Sequence, residues 1–292
     1  MSTIDPGVFR EVLVAQRRTR MKGGLYHFNQ IDMAFNSNRI EGSTLTHDQT
    51  RSIFETRAVD GMASVDDITE TSNHFRMFDW MLDHLDDPLT IEKVQHYHAL
   101  LKAGTRDAEQ PWFVVGGWKR LANEVGQATT TRPDKVQAAM TRLLGDAART
   151  RLSTLEEIAA FHVRFETIHP FQDGNGRVGR MVMFEQALNA GIVPFIVLDV
   201  HRSFYLRGLS NFAEEKGWLL DTLRTEQDIY LDRFGPMVSP EAAVMAEEKS
   251  VETIRQVMRG LPVAPVLGTS GGTMGRAWRG PDESWRQPGY GR

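Results

Sequence analysis

From Ser153 to Arg180 the sequence "STLEEIAAFHVRFETIHPFQDGNGRVGR" runs an amphipathic helix straight into a glycine-rich stretch. Ile158, Phe161, Phe165 and Ile168 follow one another at three, four and three residues, the spacing of one helix face. Ser153 with Glu156 three residues on reads as the capping box that starts this helix. The glycines then open a second helix. Within them "GNGRVG" spells G-x-G-x-x-G, the fingerprint of dinucleotide-binding folds, but that loop has to follow a strand. A helix stands where the strand is needed. Asp199 and the apolar run "VPFIVLDV" (193–200) offer a ribose-binding acid and a later strand, although Pro194 confines such a strand to an edge or a loop. Neither replaces the missing first strand. No G-K-[ST] occurs anywhere, which excludes a Walker loop as well.

Most of the remaining chain has the same helical period. Ile68, Phe75, Phe78, Met81, Leu82 and Leu85 share a face within 64–85, and Ile91, Val94, His98 and Leu101 share one before Gly104. Val136, Met140, Leu143 and Leu144 repeat the pattern, as do "HRSFYLRGLSNFAEEK" and "WLLDTLRTEQDIYLDRF". The exception is 116–133, "GGWKRLANEVGQATTTRP", whose glycines and threonines suggest an extended loop or hairpin. Beyond Pro240 one more helix is expected through Met258, then a Gly-, Arg-, Ser- and Pro-rich disordered tail. The fold class expected is therefore all-α.

Composition narrows the function classes. A net charge of -4 gives no electrostatic case for nucleic acid. With no cysteine, thiolate metal sites and a cysteine nucleophile are excluded. The N-terminus lacks the order of a secretory signal and no apolar run is long enough to cross a membrane, so a cytoplasmic protein with no membrane partner is expected. The basic run "QRRTRMK" (16–22) reads as a solvated helix face, and His96 and His98, two apart on a helix, point in different directions.

The twelve residues "HPFQDGNGRVGR" (169–180) carry the chemistry. Pro170 forces His169 out of helical geometry, and a histidine fixed at such a junction can accept a proton near neutral pH. Asp173 is a hard oxygen ligand suited to Mg2+ held between protein and phosphates. Gly174, Asn175 and Gly176 leave backbone N–H groups open at a helix start, where anions are attracted. Arg177 and Arg180, three apart, can grip successive phosphates. Base, metal ligand, anion nest and two cations together point to phosphoryl or nucleotidyl transfer.

At every fixed position this stretch resembles the signature of the Fic-domain family, H-P-F-x-[DE]-G-N-G-R-x-x-R. The resemblance implies a helical bundle with a small β-hairpin flap over roughly residues 90–235. It implies an enzyme, a protein adenylyltransferase moving AMP from ATP to a Ser, Thr or Tyr hydroxyl. His169 would be the base and Asp173 the Mg2+ ligand. Asn175 and the amides of Gly174 and Gly176 would hold the α-phosphate, with Arg177 and Arg180 on the β- and γ-phosphates. The segment 116–133 would be the flap that aligns a target protein by strand addition, with Lys119 where many relatives have arginine. Tyr205 and Asn211 would line the adenine pocket. The Doc-type branch departs from the signature in its glycine and second-arginine region, which favours AMP transfer here. The phosphocholine-transferring branch shares the same residue types.

A second stretch, "SNRIEG" (37–42), reads alone as the end of a helix near Arg39 stopped by Gly42, before a capping box at Thr46 and Gln49. Beside the first motif it resembles the Fic inhibitory helix, [ST]-x-x-x-E-[GN], carried by Ser37, Glu41 and Gly42. Glu41 would then occupy the guanidinium of Arg180 that the γ-phosphate needs. This divides the chain into an N-terminal helical region (1–89), a catalytic domain (90–235) and a C-terminal helix and tail (236–292). The resemblance also implies that a homodimer is possible, since relatives often dimerise, and in some relatives the same glutamate serves AMP removal. A de-AMPylating hydrolase using Glu41 and a non-catalytic nucleotide-binding regulator are the alternatives.

Overall fold

The computed structural model describes residues 4–125 and 128–238. Among the described residues ten α-helices succeed one another. They are α1 (Gly7–Thr19), α2 (Leu25–Ile40), α3 (His47–Thr56), α4 (Val65–Asp83) and α5 (Ile91–Lys102), then α6 (Pro133–Thr150), α7 (Leu155–Ile168), α8 (Asn175–Ala190), α9 (Arg202–Ser210) and α10 (Lys216–Phe234). The all-α expectation is met. Between α5 and α6 the two-residue strands β1 (Glu124–Val125) and β2 (Ala128–Thr129) pair antiparallel, Glu124 opposite Thr129 and Val125 opposite Ala128.

Local chemistry sets the helix ends. Thr46 and Gln49 close the capping box of α3 as the sequence predicts. At α7 the box forms one residue later than expected: Thr154, not Ser153, is the N-cap, and Glu157, not Glu156, answers it. The Glu157 carboxylate takes hydrogen bonds from the backbone and hydroxyl of both Ser153 and Thr154, so two adjacent hydroxyls compete for one acid. The run 193–200 is not a strand. Its backbone is satisfied by side chains of α10, with Gln227 donating to the Val193 carbonyl and Glu226 accepting from Leu198 N–H. Phe195, Ile196 and Val197 are nevertheless buried, which accounts for the apolar run.

One apolar cluster joins Phe9 of α1, Met33 of α2, Phe78 of α4, Tyr97 of α5, Phe165 of α7 and Phe184 of α8. The N-terminal helices therefore pack onto the same core as α7 and α8. Helix α2 lies deep in this assembly and buries polar residues that find partners. Asn29 accepts from Tyr230 of α10, Asp32 meets His47 and Arg233, and Asn36 accepts from Asp199 N–H. Arg17, expected on a solvated face, instead pairs with Asp79 and Asp83 of α4. Among the described residues no helix is long and apolar enough to cross a membrane. The expected helix and tail beyond Pro240 lie outside the described residues.

Candidate active site

The junction of α7 and α8 is built on strained backbone and a tied loop. His169 caps α7 at φ 51°, a left-handed geometry rare for a residue with a side chain, while its N–H still donates to Phe165. Pro170 accepts from the N–H of Lys119, and Phe171 stacks face to face on His98 of α5 at 4.0 Å. Asn175 clasps Phe171 with both ends of its amide, accepting from its N–H at 2.8 Å and donating to its carbonyl at 2.9 Å. That leaves the Asn175 side chain as the loop's tie, and backbone N–H groups as what the helix start offers an anion. Gly174 enters α8 at φ 80°, where a Cβ would press on Leu101. His98 accepts from Gly116 N–H at Nδ1 and so donates from Nε2 to the Asp173 carbonyl; burial drives its pKa down to about 3, which keeps it neutral.

The two arginines point to different partners. Arg177 is buried and pairs with Asp173 at 2.9 Å and with Glu70 of α4. The ammonium of Lys102, 1% exposed, joins them by touching Asp173 at 2.7 Å, Asp107 at 3.0 Å and Glu70. Burial favours the neutral acid at Asp173, yet Arg177 and Lys102 outweigh it and hold the carboxyl well below the usual range. Arg180, also buried, donates from Nε to Ser37 Oγ at 3.0 Å, and from Nη2 to the Ser37 carbonyl at 2.9 Å and Glu41 Oε1 at 2.7 Å. Glu41 is the C-cap of α2, and Gly42 leaves the helix at φ 100°. Burial disfavours the Glu41 charge, but the Arg180 guanidinium prevails and lowers its pKa.

Two glycines make these approaches close. A Cβ on Gly176 would stand 2.8 Å from Arg180 Nη1 and nearer still to Glu41 Oε1. A Cβ on Gly179 would stand 2.5 Å from Glu166 Oε1 and 2.9 Å from His162, so α7 and α8 meet as they do because Gly179 has none.

The structure thus brings together His169, Asp173, Gly174, Asn175, Gly176, Arg177 and Arg180, and seats Ser37 and Glu41 against Arg180, while Gly42 stands exposed with no contact to the site among the described residues. Tyr205 is buried behind Arg180, its ring 6.0 Å from the guanidinium and its hydroxyl bonded to His162. Asn211 uses its amide on the Arg207 carbonyl and closes α9. Lys119 is buried, its Nζ donating to Asn123 and Thr130, and burial lowers its pKa to about 8. Sequence reasoning missed Glu70, Lys102 and Glu166. The spacing Glu70–Asn73–Phe75 carried no signal for them, since acids on amphipathic helices usually face water.

Asp173 fits Mg2+. Lys102 and Arg177 both bond its Oδ2, which leaves Oδ1 free of these cations, and the side chain is 45% exposed. No cluster of three acidic or histidine ligands exists among the described residues. One available carboxylate oxygen suits an ion that draws its other ligands from phosphates and water.

Residues 88–187 match the Fic/DOC family. Protein adenylyltransferase Fic from Culex quinquefasciatus is 31% identical over 182 residues, covering 60% of this chain and 35% of that protein. The protein of the same name from Drosophila grimshawi is 30% identical over 200 residues, covering 67% of this chain and 39% of its own. The chain thus spans little more than a third of the length of these relatives. A Fic domain containing signaling protein from Bacteroides thetaiotaomicron superposes with a TM-score of 0.61 at 20% identity, covering 83% of this chain and 98% of that one. Fic-1 from C. elegans gives 0.60 at 20% identity over 79% of this chain and 71% of its own. The match to the Fic/DOC family thus falls on residues 88–187, the stretch that holds the α7–α8 junction.

Proposed function

We propose that the chain is a protein adenylyltransferase that transfers AMP from ATP to a Ser, Thr or Tyr hydroxyl and restrains itself through Glu41. The observation that carries this reading is the meeting of His169, Asp173, an N-terminal helix nest and two buried arginines at one junction. Relatives named protein adenylyltransferase Fic support it.

In this reading His169 takes the proton of the target hydroxyl at Nε2. The oxygen forms a bond to the α-phosphorus, the bond to the pyrophosphate oxygen breaks, and pyrophosphate leaves with the charge it gains. The backbone N–H groups at Gly174–Gly176 hold the α-phosphate, and Arg177 and Arg180 take the β- and γ-phosphates. Arg177 exchanges Glu70 for phosphate; Arg180 exchanges Glu41. Mg2+ on Asp173 would supply positive charge to the leaving pyrophosphate. While Glu41 occupies Arg180, ATP is held with its phosphates out of line for attack. The segment 116–133 aligns the target chain, residues 1–89 carry the restraint and 90–235 the transfer site. Tyr205 and Asn211 stand on the adenine side, and pairing of two chains is part of the same reading.

The test is mass spectrometry for AMP adducts after Glu41→Gly is incubated with ATP, Mg2+ and cell lysate. Label from α-labelled but not γ-labelled ATP is expected on protein, more from Glu41→Gly than from the parent. No incorporation by either, on any target or on itself, would overturn the reading.

A further inference from the structure

Glu166 is a partly buried acid, its side chain 15% exposed, that the transfer chemistry above leaves unused. It lies three residues before His169 on the last turn of α7. His169 Nδ1 is 3.3 Å from the Glu166 backbone carbonyl and 3.7 Å from its carboxylate Oε2. A carbonyl can only accept, so Nδ1 carries the proton and the lone pair is left on Nε2. Glu166 Oε1 has no hydrogen-bond partner among the described residues; His162 Nε2 is 4.0 Å away and already bonded to Tyr205. A buried carboxyl without a partner is costly. The space for it exists only because Gly179 has no Cβ.

We propose that Glu166 is a positioning residue for His169: its backbone carbonyl keeps Nδ1–H turned inward, and its carboxylate gives the imidazolium formed on proton transfer a negative neighbour. The inference rests on the reading in which His169 is the base.

The charged and titratable groups facing Glu166 are Arg180 from α8, Glu41 from the end of α2, Tyr205 from α9 and His162 from its own helix, while Lys119, Glu41 and Asp173 face His169. Burial drives Glu166 up to about 8, Arg180 opposing and Glu41 reinforcing. Burial also holds His169 below the ordinary imidazole value. His169 is therefore already neutral in the range where Glu166 passes from acid to carboxylate. Only the carboxylate stabilises the imidazolium, so the base strengthens as Glu166 ionises. Through Arg180 this acid also lies one charge away from Glu41, which links the restraint to the base.

Ring-proton NMR of His169 in the full chain, from about pH 5 to about pH 10, reads this without nucleotide. Two steps are expected: its own, below the ordinary histidine value, and a smaller one near pH 8 as Glu166 ionises. In Glu166→Gln the second step disappears and the first remains. A single step in the Glu166-bearing chain overturns the proposal, whether or not the variant folds. In the Glu41→Gly background, Glu166→Gln should lower the transfer rate about tenfold near pH 9 and less than about twofold near pH 6. An equal loss at both pH values overturns it. Absence of all transfer in Glu41→Gly itself counts against the transfer reading, while the NMR step still decides Glu166.

Discussion

Glu41 Oε1 accepts from Arg180 Nη2 at 2.7 Å across 139 residues of chain, and the same guanidinium nitrogen also donates to the Ser37 carbonyl. One helix turn thus supplies both the carboxylate and the hydroxyl residue that hold Arg180. Arg180 is 3% exposed while the Glu41 side chain is 35% exposed, so the acid can leave to water and the arginine cannot.

Removing the acid therefore has two effects. Glu41→Gly is expected to raise AMP incorporation at least about tenfold, an amount equal to about 1.4 kcal/mol of recovered phosphate alignment. It also strips Arg180 of its charged partner, which costs about 1–3 kcal/mol of stability because Ser37 remains. Scanning calorimetry should show a Tm lower by about 2–8 °C.

The restraint should be insensitive to pH across the neutral range. Arg180 holds the folded Glu41 below its unfolded value, so its stabilising contribution is fully present above about pH 4.3 and is lost as pH falls through the lower folded value. The ratio of Glu41→Gly activity to parent activity is expected to stay constant between about pH 6 and about pH 7, below the step at Glu166. A ratio that collapses within that window would remove the ion pair as its basis.

Gly176→Ala separates helix propensity from the restraint. Within α8, alanine gains up to about 1 kcal/mol over glycine. In the parent its Cβ would displace Glu41 and press on Arg180, while in Glu41→Gly only the mobile end of Arg180 is in the way. Urea unfolding should show the substitution destabilising the parent by about 1 kcal/mol and neutral to stabilising in the Glu41→Gly background.

Lys102→Met tests the other cluster. The lysine is buried and meets Glu70, Asp107 and Asp173, so its loss leaves acids facing one another with Arg177 alone between them. A cost of about 3–5 kcal/mol is expected in urea unfolding. If the variant unfolds with the parent, the ammonium is not what holds this end of the site.

How much of this was legible depended on whether a residue's role is local. His169 before Pro170, and the glycines opening α8, act through neighbouring backbone, and the sequence marks the end of one helix and the start of the next there. Thr46 and Gln49 are local too. At α7 the same logic slipped by one residue because Ser153 and Thr154 are both hydroxyl residues and Glu157 reaches both. The run 193–200 misled for another reason: its burial is real, but its backbone partners come from Gln227 and Glu226, which periodicity does not report. Glu70, Lys102 and Glu166 were invisible because their partners lie far away in sequence or on a glycine whose missing Cβ makes the room. The motif also gave Asn175 to the phosphate, whereas its side chain ties the loop to Phe171.

Helix α2 is fastened along its length: Asn29 to Tyr230, Asp32 to His47 and Arg233, Asn36 to Asp199, with Arg202 donating to the Ile40 carbonyl. Glu41 follows immediately after the last of these anchors. Freeing Arg180 therefore asks for rotation about the bonds of one half-exposed side chain, an event of picoseconds to nanoseconds, and not for the microsecond-to-millisecond travel of a helix. Under the proposed restraint, a brake of that kind would have no slow step of its own. Its setting would follow the competition for Arg180 from moment to moment, so nucleotide concentration and anything that touches the end of α2 would be felt at once.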